Sequence, residues 1–179
     1  TAVDLTDLDT LRADWPDDVG LVWLETPTNP LLTCFDIEAI AEIAHARGAW
    51  VIVDNTFATP YLQRPLELGA DVVAHSTTKY ISGHGTVVGG TVTTTRDEIR
   101  DELYKIIKDV GSSPSPFDAW LTSNGLKTLA ARMDKHCANA MAVALNIVVA
   151  IYRSNRLRIM PPPPSSAAAK PRTSSNPPA

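Results

Sequence analysis

Residues 71–85 of the chain read DVVAHSTTKYISGHG, a buried strand followed at once by a polar turn. The apolar residues 72–74 are typical of the end of a strand inside a sheet, and the hydroxyl-bearing residues 76–78 follow, directly before Lys79. A lysine just past a strand end and flanked by hydroxyls suits an amine that forms a Schiff base with a phosphate-bearing carbonyl cofactor. Ser76 and Thr78 would then be placed to bind the phosphate. Taken alone, these residues fit an ordinary surface turn better, so the hypothesis depends on the rest of the chain.

Two apolar runs upstream of this stretch predict further strands. Residues 19–24, VGLVWL, end at Glu25, and residues 50–53, WVIV, end at Asp54. Strands that are apolar on both faces belong to parallel sheets covered by helices. The segment between them predicts a crossover helix that begins after the N-cap Asp36 and ends at Gly48, with a buried stripe formed by Ile37, Ile40, Ala41, Ile43 and Ala44. This order of elements predicts an α/β fold with right-handed crossovers.

The polar residues at the ends of these strands predict a site. Glu25, Asp54 and Ser76 each follow a predicted strand directly or almost directly. In open parallel sheets, ligands bind outside the carboxyl ends of the strands. Each residue alone fits a loop at a strand end, but three of them at successive ends favour a binding site at this edge.

The second half of the chain predicts one more strand and two long helical segments. Residues 89–92 fit a short strand, residues 97–110 a helix that ends at Gly111, and residues 126–149 a second helical run. We expect both helical segments to bury an apolar face, formed by Ile99, Leu103, Ile106, Ile107 and Val110 in the first and by Leu126, Leu129, Ala130, Met133, Ala140 and Val143 in the second. His136 and Cys137 have no further ligands at zinc spacing, so we predict no metal site.

Composition and net charge argue against several classes of protein and partner. The chain has 179 residues, enough for one domain with a sizeable core, and its net charge of −4 argues against nucleic acid or an anionic membrane as partner. Cys34 and Cys137 do not suggest a disulfide framework, so we expect a reducing, cytoplasmic setting. No apolar run reaches the length of a membrane span.

The charge pattern changes near the C-terminus. Residues 135–179 hold none of the 20 acidic residues, and half of the 14 prolines follow Met160. We therefore divide the chain into a domain at residues 1–146 and a disordered tail at residues 147–179. The abrupt loss of acidic residues raises the hypothesis that the tail is read out of frame. Because Thr1 is not an initiator methionine, we also expect the chain to be a fragment of something longer.

Seven motifs follow one another along the chain: ETPTNP at residues 25–30, VDNTF at 53–57, QRPLELGAD at 63–71, HSTTKYISGHG at 75–85, SPFDAWL at 115–121, GLKTL at 125–129 and RMDKHC at 132–137. In this order they resemble the motifs of one family: the Cys/Met-metabolism enzymes of fold type I that use pyridoxal phosphate. The resemblance covers roughly residues 1–145 and implies part of a large cofactor-binding domain, a mostly parallel sheet with helices on both faces. That domain would end in a helix leading toward a missing C-terminal domain.

The resemblance implies a role for five residues. Lys79 looks like the catalytic lysine that forms the Schiff base with the cofactor and moves protons between substrate carbons. Asp54 looks like the carboxylate that keeps the pyridine nitrogen protonated, and Ser76 and Thr78 look like phosphate ligands. Asn29 resembles the amide near the cofactor's phenolic oxygen and the substrate carboxylate. Glu25 is expected to support the site rather than perform chemistry.

The implied activity is that of a carbon–sulfur lyase on sulfur amino acids, working by elimination through an external aldimine. Gly83-His84-Gly85 and the residues 136–140 look most like methionine γ-lyases, which is the favoured interpretation. A cystathionine γ-synthase or γ-lyase, or an O-acylhomoserine sulfhydrylase, is the alternative within the family. Since the family's segments before Thr1 and its C-terminal domain are missing, a catalytically inert remnant is the alternative of another class. The complete enzyme is expected to be a homo-oligomer, a dimer or a tetramer.

Overall fold

The computed structural model describes residues 2–159. A 3₁₀ turn covers Pro65–Leu68 and a π-helical turn covers Thr77–Ile81; we call the latter the Lys79 turn. The helices and strands, in chain order, are α1 Leu8–Ala13, β1 Leu21–Glu25, α2 Ile37–Ala46, β2 Trp50–Asp54, α3 Thr59–Leu62, β3 Val72–Ser76, β4 Gly90–Thr94, α4 Asp97–Val110, α5 Pro116–Lys127 and α6 Leu129–Ile159.

The described strands form one sheet in the order β1-β2-β3-β4. The first three strands are parallel, and β4 runs antiparallel to β3. Glu25 lies opposite Asp54, and Asp54 lies opposite Ala74, two residues before Ser76. The predicted α/β class with a mostly parallel sheet is therefore confirmed, and the three strand-end residues lie at one edge of the sheet.

Helix α2 covers the first two strands as its apolar pattern predicts. The side chain of Asp36 accepts a hydrogen bond from the Ala39 amide (3.0 Å), which caps the helix. All five residues of the predicted stripe are buried, and they pack into one core with Leu24, Val51 and Val53. The crossover between β1 and β2 thus supplies the main hydrophobic core of the described chain.

A buried carboxylate, Asp71, ties this core to the rest of the sheet. Its side chain is 1% exposed and accepts hydrogen bonds from His45 of α2 (2.9 Å), from the amide of Val51 in β2 (2.7 Å) and from Arg96, which precedes α4. Burial alone would raise the pKa of Asp71, but these hydrogen bonds outweigh it and hold the pKa below the ordinary value. One charged group therefore links three elements across the start of β3.

The predicted buried face of α4 is mostly wrong. The helix has the predicted bounds and ends at Gly111, but only Ile99 of its apolar residues is buried, whereas Ile106 and Val110 are 55% and 80% exposed. An open, mainly apolar groove of about 620 Å³ lies between this helix and β4. Amphipathic periodicity identifies the face that a helix would bury, but the surface that would cover α4 is not among the described residues.

The second predicted helical segment, residues 126–149, also departs from its prediction. Helices α5 and α6 replace the single run, with Thr128 between them. Leu129 and Met133 are buried as expected, whereas Leu126 and Val143 are 49% and 58% exposed. The remaining two members of the predicted stripe, Ala130 and Ala140, are also exposed.

Part of the predicted tail at residues 147–179 lies outside the residues that the structure describes. Residues 147–159 belong to α6, whose backbone is helical to Ile159, and residues 160–179 lie outside the described residues. The chain divides into two compact units between Lys135 and His136. Within residues 2–159, no helix has the length and apolar character needed to cross a bilayer.

We expect Asp71→Asn to lower the free energy of unfolding by about 2–4 kcal/mol, because it removes the charge that His45, Arg96 and the Val51 amide share. Urea unfolding followed by circular dichroism measures this loss. The matched control is Asp9→Asn, which removes a carboxylate whose side chain is 96% exposed and paired with Arg12. A loss no larger than that of the control would contradict the anchoring role of Asp71.

Wild type and Asp71→Asn are also expected to differ in how their stability responds to acid. Because the folded-state pKa of Asp71 lies below its unfolded value of about 3.9, its contribution is present above that pH and is lost as the pH falls further. The difference in unfolding free energy between wild type and Asp71→Asn is expected to shrink below about pH 4. A difference that stays constant through that range would exclude titration of Asp71 as its source.

Candidate active site

The candidate site lies at the carboxyl edge of the parallel strands. Asp54 is the last residue of β2, and Ser76 is the last residue of β3 and directly precedes the Lys79 turn. Asp54 and Ser76 are half-buried, and Lys79 is exposed. The fold therefore brings the predicted carboxylate and the predicted lysine turn to the same edge of two neighbouring strands.

A threonine hydroxyl links the two strand ends. Asp54 Oδ1 accepts hydrogen bonds from the amide (3.0 Å) and the hydroxyl (2.6 Å) of Thr56. The same hydroxyl accepts a hydrogen bond from the Ser76 amide (2.8 Å). Since the single hydroxyl proton is donated to Asp54, the oxygen is left to accept from Ser76, and the carboxylate and the start of the Lys79 turn are held together.

The free atoms at this edge suit a cofactor with an aromatic nitrogen and a phosphate. Asp54 Oδ2 accepts no hydrogen bond from any described residue, so it remains available to a protonated ring nitrogen. The Ser76 hydroxyl likewise has no hydrogen-bond partner within residues 2–159 and is available to a phosphate oxygen. These two groups, with the exposed amine of Lys79, are chemically suited to the ring nitrogen, the phosphate and the aldehyde of pyridoxal phosphate.

The hydroxyl of Thr78 is already engaged with the protein. Thr78 Oγ1 accepts a hydrogen bond from the Gly89 amide (2.9 Å) and lies 3.3 Å from the Gly89 carbonyl oxygen. A Cβ atom on Gly89 would lie 2.9 Å from the hydroxyl of Thr77, so this close approach requires glycine. Thr78 thereby joins the Lys79 turn to the residues before β4, and its predicted contact with a phosphate stays a prediction.

Asn29 lies on the exposed loop that follows β1. The backbone N–H of Asn29 donates a hydrogen bond to Glu25 Oε2 (3.3 Å). This contact is the kind of support that the sequence assigned to Glu25, because the strand-end carboxylate fixes the backbone that carries Asn29.

A buried polar network, not identified from the sequence, lies beneath the site. Asn55 Nδ2 donates to the Gln63 carbonyl (2.9 Å), and Gln63 Nε2 donates to the Thr26 carbonyl (3.1 Å) and to Asn55 Oδ1 (2.9 Å). Backbone carbonyls thus fix the orientation of both amides. The network joins the loop after β1 to the residue that follows Asp54.

This network also sets the state of His75. Asn55 Nδ2 lies 3.2 Å from His75 Nε2 and can only donate, so Nε2 must accept and the ring proton must lie on Nδ1. Burial lowers the pKa of His75, against the smaller raising effect of the Asp54 charge. His75 is therefore a neutral residue of β3, one position before Ser76.

Sequence reasoning missed Thr56, Asn55, Gln63 and His75, although all four stand in the quoted motifs. A hydroxyl two residues after a strand-end carboxylate is a recognisable local turn pattern and was a usable signal for Thr56. The contacts of the other three residues span up to 37 positions and have no local signature. Within residues 2–159, no three His, Cys, Asp or Glu side chains are grouped as they would be around a metal ion.

A model of the family described as Cys/Met metabolism PLP-dependent enzymes matches residues 1–147. The chain is 56% identical over 144 residues to the cystathionine gamma-synthase of Mycobacterium tuberculosis, covering 80% of this chain and 37% of that protein. It is 52% identical over 141 residues to the cystathionine gamma-lyase of Dictyostelium discoideum, covering 79% of this chain and 36% of that protein. The chain thus spans little more than a third of the length of these relatives.

Solved structures have the same fold. The crystal structure of metB from Corynebacterium glutamicum aligns with a TM-score of 0.81 and 51% identity, over 83% of this chain and 39% of that chain. A methionine gamma lyase from Micromonospora echinospora aligns with a TM-score of 0.68 and 45% identity, over 71% of this chain and 35% of that chain. The predicted fold class is confirmed by this likeness as well as by the sheet itself.

We expect Gly125→Ala to lower the free energy of unfolding by about 1–3 kcal/mol, because a Cβ atom there would lie 2.2 Å from the Ser82 carbonyl oxygen, just beyond the Lys79 turn. Urea unfolding measures the change. Gly20→Ala is the matched control, since a Cβ atom at Gly20 meets no atom within 4 Å. If Gly125→Ala is as stable as the control, α5 does not contact the turn as closely as described.

Proposed function

Since the chain belongs to the Cys/Met metabolism PLP-dependent enzymes, we propose that it is part of an enzyme that forms or cleaves carbon–sulfur bonds in sulfur-containing amino acids. The observation that carries this proposal is the linked pair of strand ends. The Asp54 carboxylate has one oxygen fixed by Thr56 and one without a hydrogen-bond partner among the described residues, and the Lys79 turn starts from the strand that the same hydroxyl holds.

Each predicted site residue has a task in this proposal. Bound pyridoxal phosphate supplies an electron sink for negative charge at the substrate's α-carbon. Lys79 would hold the cofactor through its amine, and the same amine, when free, would take the substrate's α-proton. Asp54 Oδ2 keeps the proton on the ring nitrogen.

The remaining residues bind and orient. The Ser76 and Thr78 hydroxyls bind the phosphate oxygens of the cofactor. The side-chain amide of Asn29 orients the phenolic oxygen of the cofactor and the carboxylate of the substrate. Support for Ser76 comes from its unengaged hydroxyl, and support for Asn29 from the Glu25 carboxylate that holds its backbone.

We place cystathionine and its precursors first among substrates. The matched proteins of Mycobacterium tuberculosis and Dictyostelium discoideum have cystathionine activities in their names, at 56% and 52% identity. Cleavage of methionine, favoured by the motifs at residues 83–85 and 136–140, is the second candidate. The methionine gamma lyase of Micromonospora echinospora supports it at 45% identity over less of the chain.

We further propose that residues 1–146 are part of the cofactor-binding domain and that the sequence leaves the family pattern from residue 147. The family match ends at residue 147, one residue past the proposed domain, and supports a boundary near that position. The exposed apolar residues of α6, such as Met141 and Val148, support burial against further protein in a complete homo-oligomer, a dimer or a tetramer. The free thiols Cys34 and Cys137 support a cytoplasmic setting.

The proposal predicts a single covalent adduct on Lys79 after incubation with pyridoxal phosphate and reduction with borohydride. Peptide mass mapping of the adduct measures its position and yield. Asp54→Asn is expected to lower the yield about tenfold or more, because a neutral amide no longer favours the protonated ring nitrogen. Asp109→Asn, which neutralises an exposed carboxylate on α4, is the matched control and is expected to leave the yield unchanged.

Turnover assays then separate the alternatives. Keto acid released from cystathionine supports a cystathionine lyase, cystathionine formed from an O-acylhomoserine and cysteine supports the synthase, and keto acid released from methionine supports the second candidate. An adduct on Lys79 without any turnover supports the inert remnant. Adducts scattered over surface lysines such as Lys105 and Lys127 would contradict a cofactor site in this chain.

A further inference from the structure

We propose that Arg132 is a positioning residue that holds the C-terminal end of the Lys79 turn, an inference that rests on the proposed role of Lys79. Arg132 lies in the first turn of α6, 53 positions after the lysine. Its Nη1 donates to the Tyr80 carbonyl (2.7 Å), and its Nη2 lies 3.4 Å from the Ile81 carbonyl. The guanidinium therefore binds the backbone of the two residues that follow Lys79.

The same guanidinium binds the end of α5. Nη2 donates to the Gly125 carbonyl (2.8 Å), and Nε donates to the Thr128 hydroxyl (3.0 Å). A planar fork of donors suits this arrangement, since the carbonyls approach from two separate segments. A lysine ammonium at the same place would be a single point of charge and would not bridge both segments in the same way.

A charged bridge is needed because the residues at the end of the Lys79 turn and the end of α5 meet backbone to backbone. A Cβ atom on Gly125 would lie 2.2 Å from the Ser82 carbonyl oxygen and 2.7 Å from that of Ile81. A cation between the carbonyl groups of the turn and of Gly125 offsets the repulsion of their partial negative charges.

The turn makes room for the guanidinium with a second glycine. Gly83 has φ +73°, and a Cβ atom there would lie 2.4 Å from Arg132 Cζ. The amide of Gly83 also donates to the Lys79 carbonyl (2.9 Å). Arg132 therefore packs flat against the residue that closes the turn on the lysine itself.

Lys79 is consequently held from two sides. Before the lysine, Thr56 fixes the Ser76 amide and Asp54 together; after it, Arg132 fixes the Tyr80 and Ile81 carbonyls. The contacts of Arg132 go to backbone carbonyls and to the Thr128 hydroxyl, so it acts on the lysine through the backbone. Its expected effect is on the position of the lysine amine and not on the chemistry directly.

The first test measures local hydrogen exchange in the chain without cofactor. In Arg132→Gln, the amides of Ser82 and Gly83, which close the turn, are expected to exchange about tenfold faster or more, the factor expected from losing a charge-assisted hydrogen bond. The amides of α2 are expected to keep their wild-type rates. Faster exchange in α2 by the same factor would show a general loss of stability and would overturn the proposal, as would unchanged exchange at residues 82 and 83.

A second variant guards against a failure to fold. Arg132→Lys keeps the positive charge and most of the aliphatic stem but loses the fork, so it is expected to show the same local increase at residues 82 and 83 in a chain that folds. Arg100→Gln is the matched control, because among the described residues that guanidinium binds only the carboxylates of Asp97 and Asp101 on its own helix. Wild-type exchange at the turn in Arg132→Lys would overturn the need for the guanidinium fork.

The second test measures the rate at which Lys79 forms its adduct with pyridoxal phosphate. Both Arg132 variants are expected to react about tenfold more slowly than wild type, with Arg100→Gln unchanged. Equal rates in wild type and the Arg132 variants would overturn the inference while leaving the proposed function intact. Absence of the adduct in wild type itself would overturn the proposed function, and with it the role given to Arg132 in catalysis, while the exchange test still decides whether Arg132 holds the turn.

Discussion

The hydroxyl of Thr56 joins the ends of two parallel strands, and the geometry of the candidate site depends on that contact. Parallel pairing brings Asp54 and Ser76 to one edge of the sheet, but it does not fix the carboxylate or the turn that follows. The hydroxyl does both, because it donates its proton to Asp54 and accepts the proton of the Ser76 amide. The carboxylate proposed to bind the ring nitrogen and the backbone leading to the lysine proposed to form the Schiff base are thereby held together.

Strand β3 is anchored by polar groups at both ends. Asp71, directly before it, is buried and binds His45, Val51 and Arg96; Ser76, at its far end, is held by Thr56. Between these anchors, His75 is kept neutral by burial and by the amide of Asn55. A short strand fixed in this way allows little displacement of the Lys79 turn, which is what a preorganised site requires.

Local patterns in the sequence predicted the strands, the crossover helix and the edge where the site lies. Asp54 was identifiable as a candidate because it directly follows an apolar run, and Ser76 and Lys79 because they stand two and five positions after the end of another. The partners that fix them, such as Gln63 and Arg132, were not, because their contacts join residues that lie far apart in the sequence. The apolar faces of α4 and α6 were predicted as stripes but not as exposed surfaces, since a pattern records what a helix would bury and not whether a cover is present. The comparisons show that the matched residues make up only 37% and 36% of the two relatives, which therefore contain further protein outside the matched region.

The open flanks of the sheet have a consequence for handling the molecule. Strands β1 and β4 are the outer strands of the described sheet, and Trp23 and Val92 on them are 61% and 50% exposed. Unpaired strand edges with apolar side chains template pairing with other chains, and the groove beside α4 adds apolar area on the same side as β4. The isolated chain is therefore prone to concentration-dependent self-association. Dilute solution is the condition under which its native fold is best preserved.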